Sequence, residues 1–477
     1  MFDITPLIPI LLLSLGGVGF LLCGKLLEET RTAGWFTCFV MAASLSSLLM
    51  IPDTLSASPS PIIINAFSRL FSIVICAVAL LSTMSGITAV IDEKIERLTE
   101  YYFLQLMTVA GALIMVSSVD FLTIFIGLEV ASLSVYCLCG SRVFNSGSAE
   151  SSIKYFLMGC FASAFFLYGV ALWYGATGGL SLVTVETTSL YSSPLVMASF
   201  IFLLIGLAFK VGLAPFHFWV PDVYQGAPTS VTTFMSCVIK AAAIGTLIKI
   251  AVVSFSLPNE WATKILWVIA VLAMTLGNLA ALRQSSIKRM LAYSSVAQAG
   301  YMLIGLAALA QGPEALAGVV FYLVAYCVMS IGAFATLSAI GPDADELSDV
   351  KGLGYRNRGL AICATLFFLG LAGLPPSISG LVGKVYLFTS ALSTDLVGLA
   401  IIAALNTALS CAYYFKVPMA IWFQKDGAAG TQTALFTIPA TSRFAITFCA
   451  FIVVLLGVAP EKLYTTALIG IESLLIR

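Results

Sequence analysis

The chain alternates apolar stretches of about twenty residues with short polar connectors, the length a helix needs to cross ~30 Å of hydrocarbon. Read at that spacing, the stretches predict helices at 4–23, 33–51, 68–90, 101–118, 119–141, 153–174, 194–214, 228–254, 261–281, 289–310, 314–340, 359–391, 395–418 and 443–461, about fourteen in all. The stretch at 359–391 is too long for one straight span and contains Pro375 and Pro376, so it reads as one broken helix. LIGLAFKVGLAPFHFWVPDVYQGAP at 204–228 has the same interrupted character. Two breaks separated by about five helices point to an inverted repeat, in which unwound backbone lines a polar cavity at mid-membrane. The expected fold is therefore all-α and polytopic. It forms a single membrane domain: three N-terminal helices (1–100), a five-helix unit (101–255) with helix 7 broken, a second, inverted five-helix unit (256–420) with helix 12 broken, and a C-terminal helix (421–477).

Composition excludes the soluble alternatives. With 60% hydrophobic residues, 10% charged residues and a mean hydropathy of +1.04, a charged surface around a soluble core cannot be built. The formal net charge is zero and there is no basic tract, which removes any argument for nucleic acid. The N-terminus lacks a basic n-region and a small-residue cleavage site, and reads as the first helix.

Basic residues set the orientation. Fifteen fall in one set of alternate loops: Lys25, Arg31, Lys94, Arg97, Arg142, Lys154, Arg283, Lys288, Arg289, Lys351, Arg356, Arg358, Lys416, Lys425 and Arg443. The opposite set holds five: Arg69, Lys249, Lys264, Lys462 and Arg477. With an even number of helices both termini are then expected outside, which is the periplasm if the membrane is a bacterial inner membrane. Lys249, near its helix end, is expected to snorkel.

The candidate chemistry lies in four charges that interrupt apolar runs: Glu129 in IFIGLEVASL, Lys210 in IGLAFKVGLA, Lys240 in MSCVIKAAAI and Lys384 in SGLVGKVYLF. A charge at the bilayer centre costs at least ~2.5 kcal/mol, so each needs a partner, water or a task. Glu129 and Lys210 are expected to pair, and at ~8 Å and an effective dielectric of ~20 that coupling is about 2 kcal/mol, small enough to be switched. A lysine can release its proton in such a setting and an arginine cannot. Lys240 is placed at comparable depth one helix on, and Lys384 lies beyond the second break. His217, the single histidine, is expected to bond a carbonyl freed at the first break or, as the alternative, to transfer protons. Tyr293, Ser294, Ser295, Gln298 and Tyr301 in LAYSSVAQAGYML are candidates to line a water file. The eleven cysteines have no zinc or iron–sulfur spacing, and neither a dinucleotide loop nor a P-loop is present, so no cofactor or metal is assigned to this chain.

APFHFWVPDVYQGAPTSVTTFMSCVIKAAA, IKRMLAYSSVAQAGYML and GLPPSISGLVGKVYLF resemble the antiporter-like subunits of respiratory complex I, the proton-pumping NADH:quinone oxidoreductase, most closely the N type (subunit 2). The similarity runs from about residue 100 to 420. It implies a translocase subunit of fourteen helices within a larger membrane arm, with FMN and iron–sulfur clusters in partner subunits and none here. The implied partners are the other antiporter-like and small membrane subunits, the bilayer, protons, and quinone by way of the complex. The resemblance carries Glu129, Lys210, Lys240 and Lys384 over as proton-transfer residues. Gln298 departs from it, since relatives often have histidine there. Two alternatives stand beside this reading: a subunit of a multisubunit sodium/proton antiporter, and a quinone-binding membrane subunit using His217, Trp219 and Tyr224.

Overall fold

The computed structural model describes residues 4–24, 30–52, 61–182, 193–255, 260–424 and 438–475. Lys25, Lys425 and Arg477, which entered the loop charge count, lie outside the described residues, as does most of the connector that ends at Arg443. The helices in chain order are α1 (Ile8–Cys23), α2 (Thr30–Met50), α3 (Ala66–Gly86), α4 (Ala89–Asp92), α5 (Leu98–Ser117), α6 (Phe121–Cys139), α7 (Ser146–Thr177), α8 (Pro194–Val211), α9 (Trp219–Gly226) and α10 (Thr229–Lys249). They continue as α11 (Glu260–Leu282), α12 (Ile287–Ala307), α13 (Pro313–Ile340), α14 (Leu353–Arg356), α15 (Arg358–Ala372), α16 (Ser379–Ser393), α17 (Val397–Tyr414), α18 (Lys416–Phe423), α19 (Ala440–Val458) and α20 (Glu461–Leu475). Among the described residues there is no strand beyond isolated bridges.

Among the described residues thirteen helical segments are long and apolar enough to cross a membrane. The shorter α15, followed across 373–378 by α16, makes up the broken helix expected at 359–391. The chain is thus an integral membrane protein with the number of spans that its apolar runs predict. One element was not foreseen. α20 begins with Glu461 and Lys462, which read as the close of the chain, yet it docks on α3 and α13: Ala467 and Ile471 are buried, the Phe67 N–H donates to Ser473 Oγ at 3.1 Å, and Tyr464 stacks on Tyr386 at 4.6 Å. Its apolar face is too short and too interrupted to signal a span, and only its partners bury it.

Lipid tails are as apolar as leucine, so helices in a bilayer associate through close packing of small residues. Two helix pairs do this in parallel fashion. A Cβ on Gly111 of α5 would lie 2.6 Å from the Ala131 nitrogen and the Gly127 oxygen of α6, and one on Gly277 of α11 would lie 2.8 Å from the Ala297 nitrogen and the Tyr293 oxygen of α12. At the centre sit α10, α12 and α13, buried along almost their whole length. α10 turns every one of its side chains inward, and its small residues, including Ala241, Ala242, Ala243 and Gly245, admit the neighbouring helices.

Both broken helices stop in the same way. The Leu213 N–H bonds the Ala208 carbonyl at 2.8 Å, and the Leu374 N–H bonds the Leu369 carbonyl at 2.9 Å, each across a left-handed glycine, Gly212 (φ +82°) and Gly373 (φ +84°). This is the six-to-one closure of a Schellman motif, which only a residue tolerant of positive φ completes without strain. Three residues after each glycine comes a proline in a cis bond, Pro215 and Pro376. Helix resumes at α9 in the first case and α16 in the second.

Candidate functional site

Lys210, Lys240 and Lys384 are all buried, whereas Glu129 is half-buried. Lys210 sits in the last turn of α8, where its positive charge complements the carbonyl end of the helix. Its Nζ donates to the Tyr136 hydroxyl at 2.6 Å and lies 5.0 Å from the centre of the Tyr136 ring and 5.5 Å from that of Phe209. Glu129 instead accepts a hydrogen bond from the Ser163 hydroxyl of α7. The two charged groups thus each take a hydroxyl partner rather than each other. Glu129 and Tyr136 share α6 seven residues apart, about two turns, so they lie on one face, and Lys210 reaches the tyrosine end of it. Glu129 remains within electrostatic reach of the ammonium.

Lys240, midway along α10, donates from Nζ to the Ser295 carbonyl at 2.8 Å and to the Ser295 hydroxyl, and lies 4.8 Å from the Tyr326 ring centre. Lys384, in the second turn of α16, donates back across the break to the carbonyls of Ala372 (3.0 Å) and Leu371 (3.5 Å), and lies 4.9 Å from the Tyr301 ring centre. The unwound segment leaves those carbonyls free, and the lysine takes them.

Between these two lysines lies a set of buried polar side chains centred on α12. Ser294, next to the partner of Lys240, bonds the Tyr414 hydroxyl. Gln298 donates to Tyr414 at 3.0 Å and to the Leu371 carbonyl at 3.0 Å, the carbonyl that Lys384 also approaches, and accepts from the Tyr322 hydroxyl. Gln298 thus occupies the junction where the family resemblance expects histidine, and holds it with three partners. Among the described residues no comparable hydrogen-bond chain joins Lys210 to Lys240. The intervening space holds aromatic rings, with Tyr155 stacked on Trp219 at 4.1 Å and Trp219 edge-on to Tyr224 at 6.3 Å.

Those rings also bear on the other sequence candidates. Trp219 donates its indole N–H to the Phe209 carbonyl at 2.9 Å, one of the acceptors near the break. Trp219 and Tyr224 are buried in packing and frame no open slot for a planar ligand. His217 is buried in the loop of the first break, stacked on Phe218 at 5.0 Å and edge-on to Tyr293 at 6.4 Å. Lys249 does not snorkel. It is buried and donates to the carbonyls of Met115 (3.1 Å), Val116 (2.8 Å) and Ser118 (2.6 Å), closing the carbonyl end of α5. Tyr136, Tyr322 and Tyr414 escaped the sequence reading, because a tyrosine in an apolar helix reads as ordinary packing until a lysine or glutamine is brought to its hydroxyl. Among the described residues no group of His, Cys, Asp and Glu side chains has the geometry to hold a metal ion.

On the basic face a charged cleft of about 360 Å³ opens between α7, α9 and α12, lined in part by Arg142, Lys154, Asp222, Lys288, Arg289 and Asp345. Asp222 pairs with Lys154 of α7 and with Arg289 of α12, both at 2.8 Å, and Asp345 accepts from the Ser286 hydroxyl (2.6 Å), the Lys288 N–H (3.0 Å) and the Gln225 amide (2.9 Å).

Comparison with known proteins fits this geometry. The family described as NADH:quinone oxidoreductase/Mrp antiporter, TM, matches residues 118–410, which take in both breaks and all four charges. NADH-quinone oxidoreductase subunit N 1 of Sorangium cellulosum is 39% identical over 430 residues, 86% of this chain and 84% of the relative. Among solved structures, a chain of respiratory complex I from Thermus thermophilus superposes with a TM-score of 0.83 at 32% identity, covering 96% of this chain and 98% of that one. A chain of the Mrp complex from Dietzia sp. DQ12-45-1b superposes with a TM-score of 0.87 at 20% identity, covering 99% and 98%, which is a likeness of fold.

Proposed function

Because the chain belongs to the NADH:quinone oxidoreductase/Mrp antiporter membrane family, we propose that it is the N-type subunit of a NADH:quinone oxidoreductase, moving protons across the bilayer while partner subunits carry the electrons. FMN and iron–sulfur clusters belong in this reading to those partners, and the neighbours in the membrane are other antiporter-like and small membrane-arm subunits. The membrane is a bacterial inner membrane, with both termini on the outer side and the charged cleft facing the cytoplasm.

The observation that carries the proposal is the polar set between the two lysines: Lys240 bonds Ser295, and the adjacent Ser294 is linked through Tyr414 and Gln298 to the carbonyl that Lys384 also approaches. A merely structural buried lysine needs one acceptor, and here two lysines on different helices end on a common polar thread. Glu129 and Lys210 act as the coupling pair: a change of charge at the half-buried glutamate alters how firmly the ammonium is held, and Tyr136 holds the lysine in place between states. Lys240 then passes a proton along the thread, Gln298 orients the hydroxyls of Tyr322 and Tyr414, and Lys384 releases the proton. The residue sets 101–255 and 256–420 act as two inverted half-channels. Each charge moved against 100 mV requires about 2.3 kcal/mol, which the redox chemistry of the partners supplies.

The test is proton uptake in proteoliposomes by the native assembly, purified with its partners and driven by NADH and quinone. Lys240→Ala in an assembled complex is expected to lower uptake about ten-fold or more, and undiminished uptake would sink the reading. The sodium/proton antiporter alternative shares the fold of the Mrp chain. Co-purification with antiporter subunits alone, and exchange that depends on sodium, would favour it.

A further inference from the structure

Outside the lysine thread there is one carboxyl that the proposed path does not use and that is wholly withdrawn from solvent. Glu93 follows α4 on the basic face with 0% of its surface exposed. Its Oε1 accepts from the Ser230 backbone N–H at 3.0 Å and its Oε2 accepts from the Ser230 hydroxyl. Ser230 lies in the first turn of α10, the helix that carries Lys240. The Tyr101 hydroxyl donates to Ser230 Oγ at 3.2 Å, and the Gln105 amide donates to Tyr101 at 3.1 Å. The charged groups facing the carboxyl from the adjoining elements are Lys288 of α12 and Arg142 of the connector before α7, and α5 presents Tyr101 and Tyr102. Lys288 and Arg142 are also walls of the charged cleft.

An acceptor at a helix N-terminus is ordinary capping, and a neutral amide satisfies it equally well. Capping therefore does not explain a carboxyl in a fully buried position behind two cations. We propose that Glu93 is the proton-loading group of the basic face, taking protons from the charged cleft and passing them by way of Ser230 to Lys240. This rests on the reading of Lys240 as a proton carrier. Burial raises the affinity of the carboxyl for a proton, and the Ser230 hydrogen bonds and the charges of Lys288 and Arg142 act against it, leaving the group above the usual carboxylate range. Ser230, Thr233, Cys237 and Lys240 recur at helical spacing on one face of α10, successive members about 5–6 Å apart at Cβ, and mark the order of the proposed transfer.

The transfer balances without any redox partner. A proton from the cleft binds Oε2 to give the neutral acid. That O–H donates to Ser230 Oγ as the serine hydrogen moves on along α10, and the free amine of Lys240 ends as ammonium. Glu93 is left as carboxylate, ready to load again.

The experiment compares Glu93→Gln, Glu93→Asp and Lys240→Ala in the assembled complex, reading NADH-driven proton uptake and its pH profile. Glu93→Gln keeps an acceptor for Ser230 and is expected to lower uptake per electron about two-fold or more and to remove one titration from the profile, with Glu93→Asp restoring both in part. Uptake and profile unchanged in an assembled Glu93→Gln complex, with uptake lost in Lys240→Ala, overturn the loading role and leave Glu93 as a helix cap. Uptake unchanged in Lys240→Ala as well overturns the underlying path instead.

Discussion

The two broken helices stop alike and hold their lysines differently. Each ends on a left-handed glycine closed by a six-to-one hydrogen bond, Gly212 and Gly373, with a cis proline three residues on. In the first, the lysine precedes the break, and Lys210 rests on a tyrosine hydroxyl with Glu129 within electrostatic reach. In the second, the lysine follows the break, and Lys384 turns back onto the carbonyls of Leu371 and Ala372. A carboxylate can gain or lose its charge, whereas a carbonyl dipole is fixed. One lysine is thus placed within reach of an ionisable group, and the other on fixed dipoles alone. In the proposed path the same backbone device would give a switched site at the first break and a terminal one at the second.

The sharpest way to break that distinction is Lys384→Arg. Arginine keeps the positive charge and still reaches the freed carbonyls, but it does not release its proton. Proton uptake by the assembled complex is expected to fall about ten-fold or more, and retained uptake would mean that Lys384 is only a backbone clamp. Glu129→Gln comes next. It removes a coupling on the order of 2 kcal/mol while leaving the Ser163 contact possible, and uptake is expected to drop several-fold. The change should be confined to the first half, so a Glu129→Gln, Lys210→Gln double variant should be no worse than the Lys210→Gln single variant, while Glu129→Gln and Lys384→Gln should combine independently.

The smallest effect separates the glycines. Alanine at either one costs about 1–2 kcal/mol for the left-handed backbone. Gly212→Ala adds a close contact, since its Cβ would lie 2.9 Å from Val220 Cγ2, so it should lower the thermal stability of the complex more. Gly373→Ala would set its Cβ 3.5 Å from Lys384 Cδ and Nζ, ordinary contact distance, so it should change uptake more than stability. Equal effects of the two changes on both readouts would show that the breaks are interchangeable after all.

What was legible in the sequence follows from the range over which each signal acts. Charges inside apolar runs announce themselves locally because hydrocarbon penalises them wherever the chain goes, and prolines after glycines mark the breaks within a few residues. Glu129, Lys210, Lys240 and Lys384 were visible for that reason. The pairings were not: Ser295, a candidate for a water file, is 55 residues from the Lys240 it meets, and Tyr136 is 74 from Lys210. Nothing near Tyr136 distinguishes it from packing. Glu93 was hidden differently. It lies in the run Asp92, Glu93, Lys94, Ile95, Glu96, Arg97, which reads as a solvated loop, and only the fold turns this one carboxyl inward onto Ser230. Lys249 misled because distance to a helix end was taken as distance to water, whereas α10 is enclosed along its length and the lysine met the end of α5 instead.

The ion pairs across the basic face carry a mechanical implication. Asp222 stands in the first turn of α9, where helix resumes after the first break, and pairs with Arg289, which lies six residues before Ser295 on α12, a lever about 9 Å long. Tension applied at α9 is therefore delivered to the helix that holds both the Lys240 contact and Gln298, with no change needed in the hydrophobic interior. Because Arg289 and Asp222 are about one-third exposed, mobile ions weaken this linkage. The grip between α9 and α12 is thus a joint whose stiffness depends on the salt in the surrounding water.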